Sequence, residues 1–158
     1  MNLNTQRQIK HLVTIVVLTF STFHAFGQSL SLNETTSFYE YSKIKDTATN
    51  GLINIFKKRL ESLNYKEIEV SDSSIVCKGF TNHLVGGFAT VEITYVIKLF
   101  FKSDRYKLTV TNFILTDKNG SNPLEGLGSY KKKWIGIIDK KLPEIIKNIE
   151  ALNKTEAW

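Results

Sequence analysis

Phe88-Ala89-Thr90-Val91-Glu92-Ile93-Thr94-Tyr95-Val96-Ile97-Lys98-Leu99-Phe100-Phe101 decides how this chain folds. Val91, Ile93, Tyr95, Ile97, Leu99 and Phe101 recur at every second position, and Thr90, Glu92, Thr94 and Lys98 fill the positions between them. A period of two places side chains on opposite faces of a strand. One face is apolar and the other largely polar, which is the signature of an antiparallel sheet packed on one side only.

Working outward from this strand, Ser103-Asp104 forms a tight turn and Arg105 to Asp117 returns as its partner, with Tyr106, Leu108 and Val110 facing in. The alternation then slips. Asn112 falls where an apolar residue is due, and Phe113 and Leu115 take the opposite phase. A bulge near Thr111-Asn112 explains the slip, and so does a strand end with two apolar faces. Upstream, Ser74 to Thr81 reads as a strand, preceded by a turn at Ser71-Ser73 and a short strand from Tyr65 to Val70. Asn82 to Gly87, with Gly86-Gly87, is the hairpin connection. Thr36 to Ser42 is a first strand after a loose, polar Gln28–Thr35 segment.

Two helices complete the set. From Asp46 to Leu63, Ala48, Leu52, Ile55, Phe56, Leu60 and Leu63 share one face, with Asn64 as the stop. From Tyr130 to Asn153, Trp134, Ile138, Leu142, Ile145, Ile149 and Leu152 make a second stripe, and Pro143 predicts a kink or restart. Lys118 to Ser129, punctuated by Gly120, Pro123, Gly126 and Gly128, reads as a flexible loop, and residues 154–158 as a loose tail. The predicted fold is α+β, a five-stranded antiparallel sheet with two helices on one face, in the order β-α-β-β-β-β-α.

The N-terminus carries an address. Arg7 and Lys10 precede the apolar run Leu12 to Phe20, and Ala25-Phe26-Gly27 sets small residues at −3 and −1 of a cut between Gly27 and Gln28. This is the pattern of a secretory signal peptide. The run is shorter than the roughly 20 apolar residues of a membrane span. The expected product is a single domain from Gln28 to Trp158, exported to the periplasm or the extracellular space, touching membrane only through the leader before cleavage. An uncleaved anchor is the other reading of the same segment.

Losing Arg7 and Lys10 lowers the formal charge of +6 by two. The remaining lysines are dispersed, which argues against nucleic acid as a partner. Of the three histidines only His83 follows the leader, and Cys77 is the sole cysteine. No metal-ligand set, dinucleotide loop or nucleophile with an oriented base stands out, so neither a cofactor nor a catalytic residue is assigned. Cys77 reads as a packed core thiol and His83 as an exposed loop residue.

Two surfaces remain as candidates. Val96, Phe100, Phe113 and Leu115 are apolar residues in the phase of the second sheet face and need a cover, whether the 118–129 loop, a partner or an apolar ligand. Lys131, Lys132 and Lys133, with Lys140 and Lys141 further along the helix, form the densest basic patch, suited to acidic head groups or anionic polymers.

The first helix ending Lys57-Lys58-Arg59-Leu60, the strand Val76-Cys77-Lys78-Gly79-Phe80, the long strand Val91 to Phe101, the turn Lys102-Ser103-Asp104-Arg105-Tyr106 and the strand ending Thr111-Asn112-Phe113 follow a familiar order. Together with the leader they resemble an exported family of Bacteroidota, catalogued as a domain of unknown function with a TATA-binding-protein-like fold. The resemblance covers Thr35 to Lys118. It implies a fold and no catalytic residues, and fold analogy does not supply function.

The expected role is therefore a non-catalytic interaction module of the cell envelope, recognising a protein or polymer. The alternative is a carrier holding a small apolar ligand between the sheet and the last helix, lined by Phe88, Tyr95, Phe101, Tyr106 and Trp134. An enzyme built on His83 and Cys77 ranks third.

Overall fold

The computed structural model describes residues 29–152; the leader, its cleavage site at Gly27-Gln28 and the tail from 153 onward lie outside them. Strands β1 (Ser31–Asn33) and β2 (Phe38–Asp46) come first, then helix α1 (Leu52–Ser62). A meander of β3 (Lys66–Val70), β4 (Ser74–Val85), β5 (Ala89–Lys102) and β6 (Arg105–Asp117) follows. The short β7 (Gly120–Pro123), two 3-10 turns and helix α2 (Lys131–Glu150) complete the order.

The seven described strands form one antiparallel sheet, six of them in the order β1-β2-β6-β5-β4-β3 and β7 paired with β6 off that path. The chain begins at one edge, and α1 carries it across to the other. The meander then returns until β6 meets β2, from Glu40 opposite Thr111 to Asp46 opposite Arg105. Beyond the end of β2, β7 takes over the same edge of β6, with Ile114 opposite Pro123 and Asp117 opposite Gly120. The antiparallel α+β architecture with two helices is the one the sequence predicts; β1 and β7 raise the strand count from five to seven.

Both helices pack on the face carrying the alternating residues of β5. Ile75, Cys77, Ile93, Ile97, Leu99, Leu108 and Val110 are buried there with Phe56 and Leu60 of α1 and Ile138, Leu142, Ile146 and Ile149 of α2. Each such fully buried apolar side chain contributes about 1.5–3 kcal/mol. Phe56 joins helix to sheet edge-on, its ring 5.2 Å from Tyr106 and 5.7 Å from Phe101.

Several boundaries differ from the sequence reading, each for a local reason. β2 continues to Asp46 because that backbone pairs with Arg105. The first helix therefore starts only after Gly51, whose φ of 76° is left-handed and non-helical. Leu30, expected in a loose segment, is buried, and its amide donates to Asp139 at 2.8 Å. The 118–129 stretch is not a structureless loop. It forms β7 and the two 3-10 turns, and its Leu124 is fully buried. Helix α2 runs continuously through Pro143.

The slip at Asn112 is a bulge. Asn112 has a φ of 55°, and the β5–β6 register shifts between Thr94 and Val96. Two residues of β6 thus stand against one of β5, and everything beyond changes face. Phe113 and Leu115 turn into the core, where the Phe113 ring lies 6.2 Å from that of Tyr95.

Candidate interaction surface

The second face of the sheet has no helix over it among the described residues. The register arranges its side chains in rows. Ile44, Lys107, Phe100 and Ser74 form one; Ser42, Thr109, Lys98, Val76 and Glu69 the next; Glu40, Thr111, Val96 and Lys78 a third. Further along, Ile114, Thr94 and Phe80 form a fourth. Small hydroxyl residues run down its centre. Thr109 and Thr111 are buried although no helix lies over this face among the described residues; both sit on a strand flanked by β2 on one side and β5 on the other. Their hydroxyls are satisfied locally, Thr109 by Ser42 at 3.2 Å and Thr111 by donation to the Tyr39 carbonyl at 3.2 Å. This leaves a shallow lane bordered by Val96 and Val76 and by two exposed aromatics, Phe100 at 48% and Phe80 at 52% exposure.

The charges on this face are of both signs. Lys78 pairs with Glu67 at 2.5 Å, and Lys98 and Lys107 share the surface with Glu40, Glu69 and Glu92. Exposed aromatics among mixed charges suit a protein surface better than a polyanion.

Of the four apolar residues expected here, Val96 and Phe100 are on the face and Phe113 and Leu115 are in the core, for the bulge reason above. Phe80 joins Val96 and Phe100; the two-residue spacing sets it on the face of Val76 and Lys78, although it is not among the four apolar candidates named from the sequence. Phe88, placed by the alternation at the start of β5, instead occupies the three-residue hairpin turn Gly86-Gly87-Phe88 and is 90% exposed.

The basic patch lies elsewhere. Lys131, Lys132 and Lys133 form the first turn of α2, which has neither an acidic residue nor a side-chain cap. Three cations there oppose the positive end of the helix dipole. Lys131 is half-buried, its ammonium 6.0 Å above the Tyr39 ring; Lys132 and Lys133 are exposed. These lysines and the open face are separate surfaces.

The remaining candidates dissolve into structure. His83 is in strand β4 and not in a loop, edge-on to Trp134 with ring centroids 5.7 Å apart. Burial, reinforced by the charges of Lys141 and Lys133, pushes its pKa down. Cys77 is 1% exposed, and burial pushes its thiol up to about 12, so it presents no thiolate for His83 to activate. Of the residues expected to line a ligand cavity, Phe101 and Tyr106 are packed against Phe56, while Tyr95 meets Phe113 and also walls a cleft beside α2.

An open cleft of about 300 Å³ lies between α2 and the β3–β4 side of the sheet, with Tyr65, Tyr95, Lys141 and Glu144 among its walls. Its floor is set by Gly79. A Cβ at that position would sit 2.4 Å from Tyr65 and 2.6 Å from Tyr95. Among the described residues no group of His, Cys, Asp or Glu is placed to hold a metal, and no constellation points to catalysis.

A single antiparallel sheet with its helices on one face is compatible with the TATA-binding-protein-like fold that the sequence resemblance implies. Solved structures bear this out. The chain is similar to a DUF4468 family protein from Bacteroides ovatus, with a TM-score of 0.53 and 12% identity over 79% of this chain and 92% of that one. It is similar also to a TBP-like protein from Parabacteroides distasonis, with a TM-score of 0.53 and 10% identity over 73% of this chain and 95% of that one. Both organisms are Bacteroidota, the group the sequence motifs point to. At such identities the likeness is one of fold. No family model matches the chain, and no curated protein does.

Proposed function

We propose that this protein is an exported, non-catalytic interaction module of the cell envelope, and that the open face of its sheet is the surface that binds a partner protein. The observation that carries the proposal is the one-sided packing of the sheet, with Phe80 and Phe100 half-exposed beside a lane of self-satisfied hydroxyls. Apolar side chains without a cover mark interaction surfaces. The Thr109 and Thr111 hydroxyls are already paired, so a partner covering them strands neither, while Lys98, Lys107, Glu40 and Glu69 beside them call for complementary charges on its surface. Export is supported by the leader sequence ending before Gln28.

The test uses protein recovered from the envelope fraction. Mass spectrometry of the N-terminal peptide should return Gln28 as the first residue, cyclised or free. The same protein should retain a specific envelope protein on an affinity resin, and the double variant Phe80→Ser/Phe100→Ser, folded to the same helix content, should lose it. Retention unchanged by that variant rejects the open face as the binding surface.

A further inference from the structure

One end of the molecule combines two features that the open face lacks. The β4–β5 hairpin ends in Phe88, the most exposed large apolar residue described, with Leu84 at 57% exposure on the adjoining arm. Its turn is held by Gly86 and Gly87, both left-handed, and the Phe88 ring lies beside Gly86 while staying 90% exposed. Helix α2 begins beside the same end of β4. Trp134 meets His83, and the charges of Lys133 and Lys141 reach that imidazole. Tyr130, 70% exposed, and Lys131, Lys132 and Lys133 immediately precede Trp134.

Several acids share this end, and three of them accept backbone hydrogen bonds that leave their charge in place. The Glu125 carboxylate accepts from the Tyr39 amide at 2.9 Å, Asp139 from Leu30, and Asp117 from Asn119 at 2.8 Å. Glu92 is on the open face opposite Asn82. What projects is an apolar tip, with Lys132 and Lys133 exposed at the start of α2 and Lys131 seated over the Tyr39 ring.

We infer that this end docks on an anionic phospholipid surface, with Phe88 entering the head-group boundary and Lys131, Lys132 and Lys133 meeting the phosphates. An exposed phenylalanine on a narrow tip suits the interface between head groups and acyl chains, and a small cluster of lysines adds attraction to acidic lipid that decays within a Debye length. The two signals reinforce each other, since neither one lipid-inserting side chain nor three lysines gives stable attachment alone. A soluble polyanion would use the lysines and leave Phe88 without a role. This docking adds a contact for the folded domain to the one expected of the leader, and it does not depend on what covers the sheet.

The test uses the full chain with an environment-sensitive fluorophore on Ala89→Cys, next to Phe88 on an exposed position. Native Cys77 is too buried to compete for label. On vesicles of phosphatidylethanolamine with about one-third phosphatidylglycerol, the emission should shift to the blue. A label on Ser103→Cys, at the opposite end of β5, should not shift. Phe88→Ser should abolish the shift, and Lys131→Gln/Lys132→Gln/Lys133→Gln should raise the lipid concentration needed at least about tenfold. Co-sedimentation run in parallel registers attachment by the leader, so chain that sediments without a blue shift at position 89 overturns the inference. An equal shift on phosphatidylcholine vesicles overturns it too, as does a shift indifferent to Phe88→Ser. Saturable binding of an anionic polysaccharide with no response to lipid assigns the lysines to a polymer and also overturns it.

Discussion

The Tyr106 hydroxyl donates to one carboxylate oxygen of Glu150 at 2.8 Å, while Lys43 holds the other at 2.7 Å. The last turn of α2 is thereby tied to β2 and β6 through one side chain, most of which is shielded from water. Burial works to raise the Glu150 pKa, but the hydrogen bonds from Lys43 and Tyr106 outweigh it and the carboxyl titrates below its ordinary value of 4.5. A depressed carboxylate stabilises the fold above its unfolded pKa and loses that contribution as pH falls through the folded one. Glu150→Gln should therefore cost about 1–3 kcal/mol at neutral pH. The gap between wild type and variant should close as the pH is lowered below 4.5, read by urea denaturation across pH 7 to 3. A gap that stays constant with pH contradicts the assignment.

Asn112 holds the bulge that returns Phe113 and Leu115 to the core. Its left-handed backbone is costly for a β-branched residue and easy for glycine. Asn112→Val should destabilise by about 1–3 kcal/mol and Asn112→Gly by far less. Thermal unfolding of the pair checks this, and equal melting temperatures contradict it.

Gly79 permits the approach of Tyr65 and Tyr95, whose hydroxyls lie 3.4 Å apart. Gly79→Ala places a methyl group where both rings already are, an overpacking that costs about 1–3 kcal/mol. Tyr65→Ala in the same background should recover part of the loss, because it removes the closer of the two rings. A double-mutant cycle measures the coupling.

Cys77 should resist thiol reagents in the native protein at pH 8 and react fully in denaturant. Its protonated thiol, pushed up to about 12 by burial, offers neither thiolate nor access. Prompt native labelling contradicts the core placement.

Much of this architecture is legible in the sequence, and the particulars show why. The two-residue period of Val91 to Phe101 is long enough to fix both strand and face, and the Ser103-Asp104 turn and the 105–117 strand follow from it with the observed limits. The helix stripes name the right buried faces. β1 and β7 escape notice because each is short and mostly exposed, so hydrophobic periodicity has nothing to register. The slip at Asn112 is visible, but sequence alone does not choose between a bulge and a second apolar face. That choice decides whether Phe113 and Leu115 belong to the surface. Phe88 stands at the head of the β-prone run but in the phase of Thr90 and Glu92, and the Gly86-Gly87 turn takes it into the hairpin tip. The chemistry of the open face emerges only with register, which sets Phe80 of β4 on the same face as Val96 and Phe100 of β5.

The central claim is that the open face binds a protein in the envelope, and site-specific photocrosslinking in living cells tests it most directly. A photoreactive residue replacing Phe80 or Phe100 should give a discrete adduct with an envelope protein. The same residue at Lys58, exposed on α1, should give none. Adducts equally strong from Lys58, or none from Phe80 and Phe100, would contradict the account.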